Sequence, residues 1–224
     1  RCCALQVTPK LCPADRLMNG LLIPWCRLSV TANFMAAAPP PSWFIDDLMR
    51  AMELPYYVGL LSAAGLHGAS HQQPQEFQVV TDRSVRPIAA GRSRIRFFVS
   101  KYIATAATQS MKTPTGSMRV STPEVTILDL VRFVKAAGHL DNVATVIAEL
   151  LPSVEANRLL KAVKVRNDLP STQRLGYVLD RLRAKKLVGP LHEWIGRREL
   201  RAIPLHPGRV DSDAREDRRW HVLV

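Results

Sequence analysis

The hydrophobic pattern of the chain changes period once, abruptly, at Ser121-Thr122-Pro123-Glu124. Before that point, three short runs alternate with a period of two. EFQVVTD (76–82) places Phe77, Val79 and Thr81 on one side, and RIRFFVS (94–100) places Ile95, Phe97 and Val99 on one side. MKTPTGSMRVST (111–122) reads as a hairpin turning at Pro114-Thr115-Gly116, with Met118 and Val120 facing one way. This alternation is the mark of half-buried strands. After Glu124, Ile127, Val131 and Val134 recur at helical spacing, widened by Leu128 and Leu130. A chain that switches from period 2 to period 3.6 builds a sheet first and helices second. The fold class expected is α+β, with a short mixed or antiparallel sheet flanked by a helix-rich C-terminal half.

The junction carries its own start signal. Ser121 or Thr122 supplies a cap, Pro123 suits a first helical position that needs no N–H, and Glu124 sits where the helix dipole favours an acid. Gly138 ends this helix; further helices are expected from Asp141 or Asn142 to Leu150, from Ser153 to about Val163, over 172–185, and over 191–200. Upstream, Ser42 is placed to cap a helix over Trp43–Met52, and Tyr57, Leu60, Leu61 and Ala64 suggest another over Tyr56–His67. The segment 204–219, with Pro204, Pro207 and Gly208, is expected to be irregular.

Residues 1–35 show no sustained period, and Pro9, Pro13 and Pro24 interrupt any long helix there. AAAPPPSW (36–43) reads as an extended linker. The expected division is therefore 1–38, unassigned, and 39–224, one α+β domain. No apolar run reaches the ~18 residues that span a bilayer, and no signal peptide is recognisable, so a cytoplasmic location is expected.

Enzyme chemistry finds little foothold. His67 and His71 are four apart, but no acid stands between them as in HExxH, and the helix is expected to end at His67. Cys2, Cys3, Cys12 and Cys26 are the four cysteines, and their gaps do not make the close pairs of a zinc site. No serine lies in a G-x-S-x-G elbow, and no glycine-rich phosphate loop occurs. Gly116-Ser117 with Asp211 and Asp213 superficially matches nucleotidyltransferase elements, but one pair falls in a hairpin turn and the other in a polar tail. No catalytic residue, metal site or cofactor is expected.

Positive charge is the more informative feature. The net charge of +12 resides mainly in 76–122, with 8 basic and 2 acidic residues, and 171–224, with 12 and 7. Such blocks suit a polyanionic partner or an acidic protein. Arg94, Arg96 and Arg119 would share one sheet face, and Arg174, Arg181 and Lys185 one helix face, giving a candidate basic binding surface.

Three segments taken together, YYVGLLSAAGLHGASHQQPQEFQVVTDR (56–83), KTPTGSMRVSTPEVTILDLVRF (112–133) and AGHLDNVATVIAEL (137–150), resemble the AbiEi family of bacterial antitoxins. The order matches: a helix ending in an "aLHG" segment, strands, then a "vSTPE…lDLv" strand-to-helix junction. The resemblance implies a non-enzymatic antitoxin of a type IV, AbiE-like abortive-infection system. It implies a nucleotidyltransferase-like toxin as partner, and repression of its own operon through an N-terminal winged helix-turn-helix. Residues 1–38 do not supply that winged helix, so operator DNA is expected as a partner only where an intact one is present. His67, Ser121, Pro123, Glu124 and Asp129 fall on family-motif positions, and a structural role is expected for each. The alternatives are a general nucleic-acid-binding regulatory module and, further off, a nucleotidyltransferase-type enzyme using Asp211 and Asp213.

Overall fold

A computed structural model describes residues 39–69, 75–90, 93–208 and 213–224. The chain enters through a 3₁₀ turn, Pro41–Trp43, and a short helix α1 (Ile45–Ala51). Pro41 opens that turn, and α1 then starts at Ile45 behind Phe44, so Ser42 does not cap it. Strand β1 (Tyr56–Val58) and helix α2 (Leu60–Leu66) follow. Here the expected helix over Tyr56–His67 is corrected. Tyr56, Tyr57 and Val58 are β-formers held at the middle of a sheet, and only the remainder is helical. Gly59 separates the two; a Cβ there would lie 2.8 Å from Val80 Cγ2.

Strands β2 (Glu76–Thr81), β3 (Ile88–Ala90), β4 (Ser93–Val99), β5 (Thr108–Thr113) and β6 (Gly116–Ser121) complete a six-stranded sheet in the order β3-β4-β2-β1-β6-β5. It is mixed. The pairs β1/β6 and β2/β4 are parallel, and β1/β2, β3/β4 and β5/β6 are antiparallel. The short strand β3 was not legible in the sequence. Helices α3 (Pro123–Arg132), α4 (His139–Leu150), α5 (Ala156–Arg166), α6 (Leu169–Arg181) and α7 (Lys185–Ile195) make up the later half. The fold is α+β with a helix-rich C-terminal half.

Apolar residues cover both faces of the sheet. On one face, Val58, Val79, Ile95, Met118 and Val120 pack with Ile45, Leu48 and Met49 of α1. On the other, Tyr57, Val80 and Phe98 meet Ile127, Leu128, Leu130 and Val131 of α3 and the helices behind it. Helix α3 contacts α2, α4, α5 and α6 as well as β6, so it lies at the centre of the helical layer.

Several helix limits differ from expectation for local reasons. Helix α5 begins after a 3₁₀ turn, Leu151–Ser153, with Glu155 rather than Ser153 at its N-cap. Helix α6 starts at Leu169 because Asp168 caps it, accepting from Ser171 N at 3.4 Å and Ser171 Oγ at 2.8 Å. It stops at Arg181, and Arg183 takes φ 57° before α7 begins, so Lys185 stands on the next helix and the expected single face is broken. The tail is more ordered than expected. Ile203–Pro204, Glu216–Asp217 and Val222–Leu223 form a small sheet, β7 to β9, in the order β7-β9-β8.

Candidate functional site

Four of the five motif residues lie at the end of β6 and along α3, and His67 reaches them from the end of α2. Ser121, last of β6, is fully buried; its Oγ lies 3.3 Å from the Val58 carbonyl and 2.7 Å from Thr126 Oγ1. Thr126 Oγ1 lies 2.9 Å from the Thr122 carbonyl. Thr122 occupies the N-cap position and Pro123 the first turn, but the Thr122 side chain makes no capping bond. Imidazole Nε2 of His67 stands 2.8 Å from the Ser121 carbonyl. A carbonyl only accepts, so that nitrogen carries the proton and donates. His67 therefore fastens the exit of α2 to the end of β6. His71 lies outside the described residues.

Each charged residue on the inner face of α3 ties down a later helix. Glu124, buried, accepts from the Glu155 backbone N–H at 3.2 Å, which fixes the start of α5. Asp129, fully buried, accepts from Arg166 Nη2 at 2.8 Å, which fixes the end of α5. It also accepts from the Tyr57 hydroxyl at 2.9 Å, which fixes β1. Arg132 pairs with Asp168 at 2.8 Å, the residue that caps α6. One ten-residue helix thus sets the position of α5, α6 and the central strand.

The electrostatics of this cluster follow from its burial. Loss of water pushes the Asp129 carboxyl above the ordinary carboxylate range, against the pull of Arg166 and Tyr57. Burial is the largest influence on Arg166 and works to lower it, but the charge and hydrogen bond of Asp129, with Tyr57 and Asp168, together hold the guanidinium above its usual value. Tyr57 is raised chiefly by burial, with the Asp129 charge adding to it. A phenol whose folded value is raised contributes stability that is complete below the unfolded value near ~10 and is lost as pH rises beyond it. The chain is therefore expected to lose about 1.4 kcal/mol per pH unit through Tyr57 above pH ~10. Urea titrations between pH 8 and 11 should show a shallower fall for Tyr57→Phe than for the parent; parallel curves would contradict this assignment.

The candidate basic residues fall into three groups. Arg94, Arg96 and Arg119 do share a sheet face, opposite Ile95, Met118 and Val120, but β2 and β1 stand between their strands. At ~4.8 Å per strand, that is about 14 Å. Arg94 and Arg96 both pair with Glu76, at 3.3 and 3.2 Å, and Arg119 is exposed. Arg174 is half-buried, lowered by burial, and donates from Nε to the Pro204 carbonyl at 3.0 Å. Arg181 and Lys185 are exposed at the break between α6 and α7.

Three partners in these networks escaped the sequence reading. Arg166 falls on the buried stripe Leu159, Val163, Arg166 of α5, spaced four and three apart, and an arginine on an apolar stripe was the available signal. Tyr102 receives Arg132 and Arg166 over its ring at 5.3 and 5.4 Å, a contact across the fold that no local pattern carries. Trp220 is fully buried and donates from Nε1 to Asp180 at 3.0 Å.

Asp211 lies outside the described residues, and Asp213 is exposed in a turn. Among the described residues no three His, Cys, Asp or Glu side chains cluster as metal ligands, and no helix is long and apolar enough to cross a membrane.

Comparison with solved structures finds the RV2827C protein from Mycobacterium tuberculosis, known from a crystal structure, with a TM-score of 0.57. The two share 13% identity over 84% of this chain and 69% of that one, a likeness of fold alone. No curated protein sequence matches the chain. The family model for the AbiEi antitoxin C-terminal domain matches residues 57–181. That span opens at Tyr57, closes at the last residue of α6, and encloses Glu124, Asp129 and Arg132 with Glu155, Arg166 and Asp168. With more than half its length matched by that model, the chain belongs to the AbiEi antitoxin family.

Proposed function

We propose that this chain is the antitoxin of a type IV, AbiE-like toxin–antitoxin system. It neutralises a nucleotidyltransferase-like toxin without catalysing a reaction itself, and represses its own operon when an intact winged helix accompanies it. The observation that supports this most is the family match falling on a self-contained scaffold, whose motif residues are consumed by internal bonds. Side chains so engaged brace a surface; they are not free to hold reacting atoms. The exposed cations Arg94, Arg96, Arg119, Arg181 and Lys185 then serve as the contact surface for an acidic partner. Co-expression with a cognate nucleotidyltransferase-like toxin should restore growth of the cells that the toxin arrests, and no restoration by the full chain would refute the reading.

The net charge of +12 favours a second reading, a nucleic-acid-binding module. It predicts duplex DNA affinity that falls by ~10³ or more between 50 and 200 mM salt, if six or more cations meet phosphates. Weak affinity at 50 mM salt with intact growth rescue would leave the antitoxin reading alone.

A further inference from the structure

A cavity of about 290 Å³ opens beside the motif, between the N-terminus of α3, the segment 101–107 and α5. Its lining includes Tyr102, Thr122, Glu124, Arg158, Lys161 and Arg166. Arg166 is the unusual member. Its side chain is only 4% exposed and Nη2 is used by Asp129, yet Nη1 is buried with no hydrogen-bond partner in the protein. An unpaired N–H of a buried guanidinium is costly and rare. The Tyr102 ring, 5.4 Å from Arg166 Cζ, forms part of the wall over it.

Two further features converge on the same space. Helix α3 points its N-terminus at the cavity, and its first-turn amides receive no side-chain cap from Thr122. Arg158, Lys161 and Arg166 bring three cations from α5. Lys161 has no ion pair among the described residues, and Arg158 has an exposed pair with Glu155 at 2.8 Å, the kind that exchanges readily. Glu124 is the opposing charge in the lining, with Oε1 engaged by the Glu155 N–H.

We infer that this cavity binds a diphosphate or triphosphate group. Guanidinium, ammonium and helix N-terminus are the donor set that tetrahedral phosphate oxygens select. The volume exceeds what one small anion fills, which favours a linked chain of phosphoryl groups. Arg166, in the cavity lining, keeps in Nη1 an N–H without a protein partner, a donor that a ligand oxygen would satisfy. The inference stands on the geometry and does not rest on the antitoxin reading.

The test is calorimetric titration of the full chain, at fixed ionic strength, with inorganic pyrophosphate and with ATP. Saturable binding is expected, weakened about tenfold in Lys161→Ala, tightened in Glu124→Gln, and unchanged in Lys164→Ala, an exposed α5 lysine outside the lining. Equal affinity for both ligands identifies free polyphosphate as the source, and tighter ATP binding identifies a nucleotide. No saturation by either at millimolar concentration overturns the inference. So does binding that Lys161→Ala and Glu124→Gln leave unchanged, or that duplex DNA displaces equally from parent and Lys161→Ala.

Discussion

Asp129→Ala is expected to lower the stability of the chain by about 3–5 kcal/mol. The reason is what it leaves behind. Arg166 is buried, and Asp129 is the carboxylate that meets it, at 2.8 Å. Without that carboxylate, a buried guanidinium loses the counter-charge it is hydrogen-bonded to, and the Tyr57 hydroxyl loses its acceptor as well. The loss is a large fraction of the ~5–15 kcal/mol that holds a typical domain folded. The other α3 struts should cost less on the same scale. Glu124→Ala removes one hydrogen bond to a backbone amide, worth about 1.5–3 kcal/mol when the acceptor is charged. Arg132→Ala opens a pair whose members are 28% and 13% exposed, so water replaces part of what is lost. Equilibrium urea unfolding of the three variants should rank Asp129→Ala well beyond the other two. A loss below about 1 kcal/mol for Asp129→Ala would mean that water reaches Arg166, contrary to its burial.

The second large effect concerns the tail. Trp220 lies against α6 where Gly176 has no side chain, and a Cβ on Gly176 would stand 2.1 Å from the indole ring. The tail is held there by one helix face. Gln173 Nε2 lies 3.0 Å from the Arg201 and Trp220 carbonyls and 3.1 Å from that of His221, and Asp180 accepts the indole N–H. Trp220→Ala is expected to cost about 3–5 kcal/mol, the usual range for a buried aromatic truncated to alanine. Gly176→Ala poses the sharper question. Helix propensity alone would favour alanine by about 1 kcal/mol, and an overlap with Trp220 at the upper end of the usual overpacking cost, about 3 kcal/mol, should reverse the sign to a net loss of about 2 kcal/mol. Pairing Gly176→Ala with Trp220→Ala removes the overlap, so the double variant should show less than the sum of the two losses. Strict additivity would contradict the packing described.

The layout of the fold was legible where one physical rule acted alone. The period change at Ser121 located the sheet-to-helix junction within a residue or two, because Pro123 and the stripe Ile127, Val131, Val134 answer to local geometry. Legibility failed where two rules competed. Tyr57, Leu60, Leu61 and Ala64 fit a helical spacing, but Tyr56–Val58 is claimed by a central position between β2 and β6. In the sheet Tyr56, Tyr57 and Val58 are all buried, and Gly59 leaves room for Val80 where strand gives way to helix. Helix α6 was read three residues late because Asp168, its cap, stands before Pro170, and proline in a first turn resembles a boundary.

The motif residues were legible as positions but not as a network. Glu124 and Asp129 sit on a helix whose apolar stripe was plain, yet their partners Glu155, Arg166 and Tyr57 lie 31, 37 and 72 residues away. No spacing rule spans such distances. The basic surface fared differently. The shared face of Arg94, Arg96 and Arg119 follows from strand alternation, whereas their separation follows from strand order, which alternation does not contain. Arg174 looked like a surface cation, but the tail that half-buries it had read as irregular.

The central claim is that the polar cluster around α3 is a brace, and that neutralisation of the toxin depends on the surface it holds in place. The most direct measurement is growth rescue by a triple variant, Tyr57→Phe, Asp129→Leu and Arg166→Met, alongside its melting curve. Replacing a buried ion pair with apolar groups of similar size is often neutral or stabilising. A brace of this kind predicts a cooperatively folded variant that melts near the parent and rescues growth as fully. Parental melting with rescue lost would contradict it, and would move these three side chains from the scaffold to the working surface.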